Sequence, residues 1–372
     1  MTGEAWTSLR VDTGAIRDNA RVLSAAAGRA RMLAVVKADA YGHGAVPVSL
    51  AALEGGASGL AVFTLGEARE LRAAGIGAQI LVLGPLAPAQ WGDARALGVE
   101  CCVWTPEAVR AAGAAHGPGD PAPIHLKLDT GMGRLGARAE DVAALADAAE
   151  AESGVRVAGV MTHFATADQR EGENSGFMRE QLVRFRAAGA SLAARFPGAA
   201  FHASNSAGLL RDPDAAFDMV RCGIALYGCD PFGHDPAAHG LRPAMSLATR
   251  VASLKTVRSR ESVGYGRRWR AARGALIATL PVGYADGYMR ILGGRAHALI
   301  GGARAPVIGA VSMNQIALDL GPEGRAAVGD EVVLLGAQGA ERISAEELAA
   351  HAETINYEIT CALGARGARI HL

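Results

Sequence analysis

Between residues 32 and 228, short apolar runs alternate with Ala/Leu/Glu/Arg-rich stretches, and that alternation leaves few folds open. The strand-like runs are 32–38, 59–63, 79–84, 100–104, 124–130, 155–163, 201–206 and 219–228. Segments with helical periodicity lie between them, among them 66–74, 106–115, 139–152 and 177–195. Eight βα units in about 200 residues suggest a closed (β/α)8 barrel.

The pattern changes after Pro231-Phe232-Gly233-His234-Asp235-Pro236. Residues 245–257, 275–282, 297–311, 315–320 and 330–335 read as β with few helical stretches between them. A helix signal capped by Ser344 and a last strand-rich segment close the chain. The fold class is therefore α/β: a barrel unit over 1–235, then a mainly β unit over 236–372. Thr7–Val11 is also strand-like and fits either unit. At 372 residues each unit is long enough to bury its own core.

Net charge is zero and no basic or acidic block stands out, which speaks against nucleic acid or a membrane surface as partner. The five cysteines are odd in number and match no zinc spacing, so they read as reduced thiols in a cytoplasmic protein without a metal. The N-terminus has no basic-then-apolar signal, and no stretch reaches the length of a membrane span.

Of the 37 basic residues only three are lysine (Lys37, Lys127 and Lys255), and 34 are arginine. Lysines surviving such a bias are candidates for work a guanidinium cannot do. An ε-amine can lose its proton and attack a carbonyl; Arg stays protonated. Lys37 ends an apolar run and enters the polar turn Ala38-Asp39-Ala40-Tyr41-Gly42-His43-Gly44, where a Schiff-base lysine would be presented. Lys255 has no motif around it and reads as surface.

Barrel enzymes gather their reacting groups at the C-terminal ends of the strands. Those ends carry Lys37, Lys127 with Arg134, His163, Asn205 with Ser206, and Arg221 with Gly223. In Ile124-His125-Leu126-Lys127-Leu128-Asp129, alternation puts His125, Lys127 and Asp129 on one face. A Lys and an Asp pointing into a barrel must be paired or functional.

With these residues in view, the chain resembles the alanine racemase family nearly end to end. The resemblance is carried by VVKADAYGHG (35–44), LKLDTGMGRLG (126–136), MTHFA (161–165), HASNSAG (202–208), VRCGIALYG (220–228), VGYG (263–266), LPVGYADG (280–287) and TINYE (354–358). It implies a homodimer of barrel-plus-β subunits with shared active sites. It also implies a pyridoxal 5′-phosphate cofactor, an amino-acid substrate and interconversion of L- and D-alanine for peptidoglycan. Lys37 would form the Schiff base and serve as one base, and Tyr265 of the partner subunit would be the second, on the opposite face. Tyr41, Ser206, Gly223 and Ile224 would hold the cofactor phosphate, with Asn205 at the same site. Arg221 would face the pyridine nitrogen, and His163 would link it to Tyr265. Lys127 resembles the family's carbamylated lysine, which holds Arg134 against the substrate carboxylate; the alternative is a plain Lys paired with Asp129. Met313 would offer its N–H to that carboxylate, and Tyr284 would line the entrance.

Two departures stand out. The family segment Cys-Met-Asp-Gln is Ser312-Met313-Asn314-Gln315 here. A second active-site tyrosine that follows TINYE by several residues in relatives is matched to Ala365. Both changes imply a roomier pocket that racemises serine beside alanine, unless a neighbour such as Arg366 fills the space. A barrel-type amino-acid decarboxylase is the rival enzyme, but its Gly-Gly-Gly phosphate motif and C-terminal Cys-Asp motif are missing. A barrel-only pyridoxal-phosphate carrier would lack the β unit.

Overall fold

Residues 6–169, 172–365 and 369–372 are described by the structure, a computed structural model. Strand β1 (Ser8–Val11) leads into a helix, Thr13–Ala27, whose N-cap Asp12 accepts from the Ala15 N–H at 2.9 Å. Eight parallel strands follow: β2 (Arg31–Val35), β3 (Gly59–Val62), β4 (Gln79–Val82), β5 (Glu100–Val103), β6 (Ala122–Lys127), β7 (Val155–Met161), β8 (Ala200–His202) and β9 (Met219–Cys222). Each of β2 to β8 pairs with its sequence neighbour, and β9 returns to pair with β2. Beyond the end of β8, Asn205 bridges to Arg221 of β9, so the ring of strands is nearly closed. The expected barrel is there.

Local chemistry sets the helix starts. Thr64 accepts from the Glu67 N–H at 3.2 Å while Glu67 accepts from the Thr64 N–H at 2.9 Å, a reciprocal cap on Leu65–Ala73. Thr105 caps Pro106–His116, with Pro106 at the first helical position. Phe177–Arg195 spans the residues that its periodicity predicts.

β2 stops at Val35, short of the predicted 38, because the chain turns the other way. Ala38, Asp39, Ala40 and Tyr41 all have φ between 51° and 53°, a turn of left-handed helix. Each such residue costs roughly 1–2 kcal/mol, so the turn must be held from outside. Glu67 accepts from the Ala38 N–H at 2.7 Å, and Asp39 accepts from the Ala45 N–H at 2.8 Å. Arg369 pairs with Asp39, and the His371 ring nitrogen meets the His43 carbonyl at 2.8 Å.

The second unit contributes β10 (Met245–Arg250), β11 (Ser253–Val257), β12 (Ser262–Val263), β13 (Trp269–Arg270), β14 (Ala275–Leu280), β15 (His297–Ile300), β16 (Ala303–Ile308), β17 (Ile316–Asp319), β18 (Glu331–Gln338), β19 (Glu341–Ile343) and β20 (Arg369–His371). Its main sheet runs β11-β14-β17-β16-β15-β18-β10-β1-β20, with β19 beside β18. β1 pairs antiparallel with β10 and parallel with β20. The strand that fits either unit by sequence thus belongs to the second sheet, and the unit expected to begin at residue 1 cedes it. The pair β12–β13 stands apart as a ribbon with Tyr265 in its turn. Buried apolar side chains run continuously from the barrel into the second sheet. Among the described residues no helix is long and apolar enough to cross a membrane.

Candidate active site

Lys37, Tyr41, Lys127, Arg134, His163, Asn205, Ser206, Arg221, Gly223 and Ile224 line one cavity of about 310 Å³ at the C-terminal ends of the barrel strands. That is the size range of small-ligand sites. Burial lowers the Lys37 pKa from 10.5, and the nearby Arg134 charge lowers it further. A lysine so placed gives up its proton, and becomes nucleophilic, more readily than a surface one.

Lys127, at the end of β6, is buried and sits 5.9 Å from the Trp104 ring centre. Burial is the main reason its pKa falls below 10.5. Asp129 is not its partner: that carboxylate accepts from the Gly131 N–H at 2.9 Å and the Gly133 N–H at 3.1 Å. Among the described residues no carboxylate pairs with Lys127.

The far end of the cavity is built for an anion. Ser206 Oγ accepts from the backbone N–H of Gly223 at 2.9 Å and of Ala225 at 3.3 Å, which leaves its own proton to donate outward. Burial keeps the Tyr41 hydroxyl protonated, so it too is a donor. A Cβ on residue 223 would stand 2.5 Å from Tyr41 Oη, so only glycine leaves the hydroxyl its place beside the backbone. A 3₁₀ turn, Ile224–Tyr227, opens here and brings its first amide N–H groups without partners inside the turn. Hydroxyl and amide donors around a space that a Cβ would fill suit a phosphate dianion. The helix Ser206–Arg211 is capped by Asn205, which accepts from the Gly208 N–H at 2.9 Å.

Arg221 is buried and donates to the carbonyls of Thr162 (2.8 Å) and Ala203 (2.9 Å), to His202 Nδ1 (2.9 Å) and to His163 Nδ1 (3.3 Å). Desolvation first, then the Arg221 charge, hold the His163 pKa well below 6.5. Since an arginine only donates, His163 Nδ1 accepts and its Nε2 carries the proton.

Three anticipated residues are not in this cavity. Tyr265 is 74% exposed, Met313 56% and Tyr284 43%, all on the second unit. Asn314 is exposed as well, and Lys255 is a surface residue as read. The Ala365 expectation is overturned. Tyr357 and Cys361, one turn apart on the helix Asn356–Gly364, line the cavity. A further turn carries Ala365 past it, exposed at the helix end. The ring that lines the cavity there is Tyr357, 5.9 Å from the Tyr41 ring, within the TINYE segment itself. Arg366 lies outside the described residues. His202, which accepts from Arg221, and His125 behind it support the site without lining it; the alternation in β6 places His125 inward, and no pattern around His202 assigns it a role.

Fold and site together define a (β/α)8-barrel enzyme that presents an activated lysine beside an anion cradle, with a β unit appended. Residues 11–231 match the model of the alanine racemase N-terminal domain, and residues 244–371 that of the C-terminal domain. The alanine racemase of Symbiobacterium thermophilum is 44% identical over 100% of this chain and 98% of its own. The solved alanine racemase of the D-cycloserine producer Streptomyces lavendulae superposes with a TM-score of 0.92 at 39% identity, covering 99% of this chain and 97% of that one. The biosynthetic enzyme of Pseudomonas aeruginosa gives 0.89 at 37%, covering 98% and 99%. The chain belongs to the alanine racemase family. The family is one of isomerases, and membership implies pyridoxal 5′-phosphate.

Proposed function

We propose that the chain interconverts L- and D-alanine with pyridoxal 5′-phosphate, as a cytoplasmic homodimer with shared active sites that supplies D-alanine for peptidoglycan. The observation that carries this reading is the gathering of Lys37, Tyr41, Ser206, Arg221 and Arg134 around one cavity. When bound, the cofactor withdraws electrons from the substrate α-carbon and makes its proton removable.

Tyr41, Ser206 and the Ile224 amide hold the phosphate, with Gly223 leaving room beside Tyr41 and holding the Ser206 oxygen so that its proton points outward, and Asn205 fixing the helix start. Arg221 would lie against the ring nitrogen and, as a donor that keeps its proton, would leave it unprotonated. Lys37 Nζ takes or delivers the α-proton on one face. Tyr265 of the partner subunit does so on the other, which accounts for a tyrosine lying exposed and away from its own cavity. Each positioned base contributes roughly 10²–10⁴ in rate. His163 Nε2–H is free to meet that tyrosine. Lys127, deprotonated more readily than a surface lysine, adds to carbon dioxide, giving a carbamate and a proton. The carbamate holds Arg134 against the substrate carboxylate, where Met313 of the partner subunit offers its N–H.

The test is incubation of the protein with a panel of L-amino acids, with products resolved by chiral chromatography and carbon dioxide measured alongside. D-alanine from L-alanine without carbon dioxide release is expected. Lys37→Arg, which keeps the charge but cannot condense with an aldehyde, should abolish it. Carbon dioxide release instead would turn the reading toward a decarboxylase.

A further inference from the structure

The barrel interior below Arg221 holds a line of polar side chains where branched apolar ones are the rule. His202 Nε2 meets His125 Nδ1 at 2.8 Å, and His125 Nε2 meets Glu100 Oε2 at 2.8 Å. The same Glu100 oxygen accepts from Gln79 Nε2 at 2.6 Å. Both imidazoles are buried. Room for one is made by the neighbouring strand: a Cβ on Gly159 would stand 2.4 Å from His125 Nδ1.

The proton positions follow from one end. Arg221 can only donate, so His202 Nδ1 accepts and Nε2 carries the proton. His125 Nδ1 then accepts, and its Nε2–H donates to the carboxylate. Every bond in the line points from Arg221 toward Glu100. Both imidazoles are thus neutral. Burial and the Arg221 charge hold His202 well below 6.5. Burial alone would raise Glu100, but its hydrogen bond and electrostatic interaction with His125, the hydrogen bond from Gln79 and the nearby Arg156 charge outweigh it and keep the carboxyl below its usual pKa. Arg221 itself has carbonyl and imidazole partners and, among the described residues, no carboxylate. A buried cation without a compensating charge is costly, and a chain of aligned hydrogen bonds in a low-dielectric interior polarises along its length.

We propose that Glu100 is the remote counter-ion of Arg221, coupled to it through His202 and His125, and that all three are positioning residues for the ring-nitrogen contact. This rests on the reading that Arg221 faces that nitrogen. Arg156 also lies near Glu100, so the competing view is an interior ion pair with no effect on Arg221.

The apoprotein with 15N-labelled histidine and arginine separates the two by NMR. In the wild type His125 and His202 should both be neutral Nε2–H tautomers; a cationic ring or an Nδ1–H tautomer at either overturns the proposal. Glu100→Gln keeps an acceptor for His125 but removes the charge. It should move the His202 Nε2–H and Arg221 side-chain resonances upfield along with that of His125, and Glu100→Asp should return them toward wild type. A shift confined to His125 overturns the coupling. In the loaded enzyme Glu100→Gln should lower kcat about tenfold with KM little changed, within the range for networked side chains that touch no ligand themselves. Unchanged kcat would refute the positioning role. A wild type that fails to racemise alanine would instead refute the functional reading and leave the NMR result standing.

Discussion

Gly223→Ala isolates the phosphate cradle. The added methyl would meet Tyr41 Oη at 2.5 Å, Cζ at 3.1 Å and Cε1 at 3.7 Å. Comfortable contacts between heavy atoms lie at about 3.5–4.0 Å, so the ring must move by about 1 Å. It has little room to do so. Tyr227 lies 4.9 Å and Tyr357 5.9 Å from its centre. Overpacking of this kind costs about 1–3 kcal/mol in folding. Displacing the hydroxyl removes a charge-assisted bond of about 1.5–3 kcal/mol from phosphate binding. At 1.4 kcal/mol per decade, cofactor affinity should fall roughly 10- to 150-fold. Titration of the apoprotein with pyridoxal phosphate, followed by absorbance, reads the affinity; thermal melts read the folding cost. Tyr41→Phe supplies the internal control. Without the hydroxyl the closest overlap is gone and only the 3.1 Å Cζ contact stays tight, so Gly223→Ala added to Tyr41→Phe should cost less than it does alone. Wild-type affinity in Gly223→Ala, or full additivity of the two changes, would refute the reasoning.

Mixed dimers of Lys37→Ala and Tyr265→Phe subunits should recover activity that neither variant has alone, measured by chiral chromatography; failure to recover any would remove the shared site. Ala365→Tyr should leave the ratio of serine to alanine turnover unchanged, because residue 365 is exposed outside the cavity; a sharp fall in the ratio would return it to the substrate pocket. Lys127 also makes a pH prediction for the apoprotein in carbon-dioxide-free buffer. Its folded pKa lies below the unfolded 10.5, so between the two values the unfolded chain binds more protons and stability rises with pH. Thermal melts across that alkaline window should show a smaller rise in Lys127→Met than in the wild type; equal slopes would mean that the lysine is not desolvated.

What the sequence determined by itself is whatever repeats locally. Eight apolar runs separated by capped helices specify the barrel, because strand and helix periods and cap chemistry act over a few residues. Lys37, Lys127, Ser206 and Arg221 were legible for the same reason: each stands where an apolar strand ends, and the barrel brings all such ends to one rim. Tertiary structure alone decided the rest. β1 is held by partners more than 200 residues away in sequence, which no local pattern announces. Tyr357 rather than Ala365 reaches the cavity because the helix runs on past it, so position along the axis, which only the packed helix fixes, decides between side chains on one face. The line from Arg221 to Glu100 joins four strands through side chains that look ordinary one at a time. Its direction is set by a single donor-only group at one end, and that constraint exists only once the barrel has closed around it.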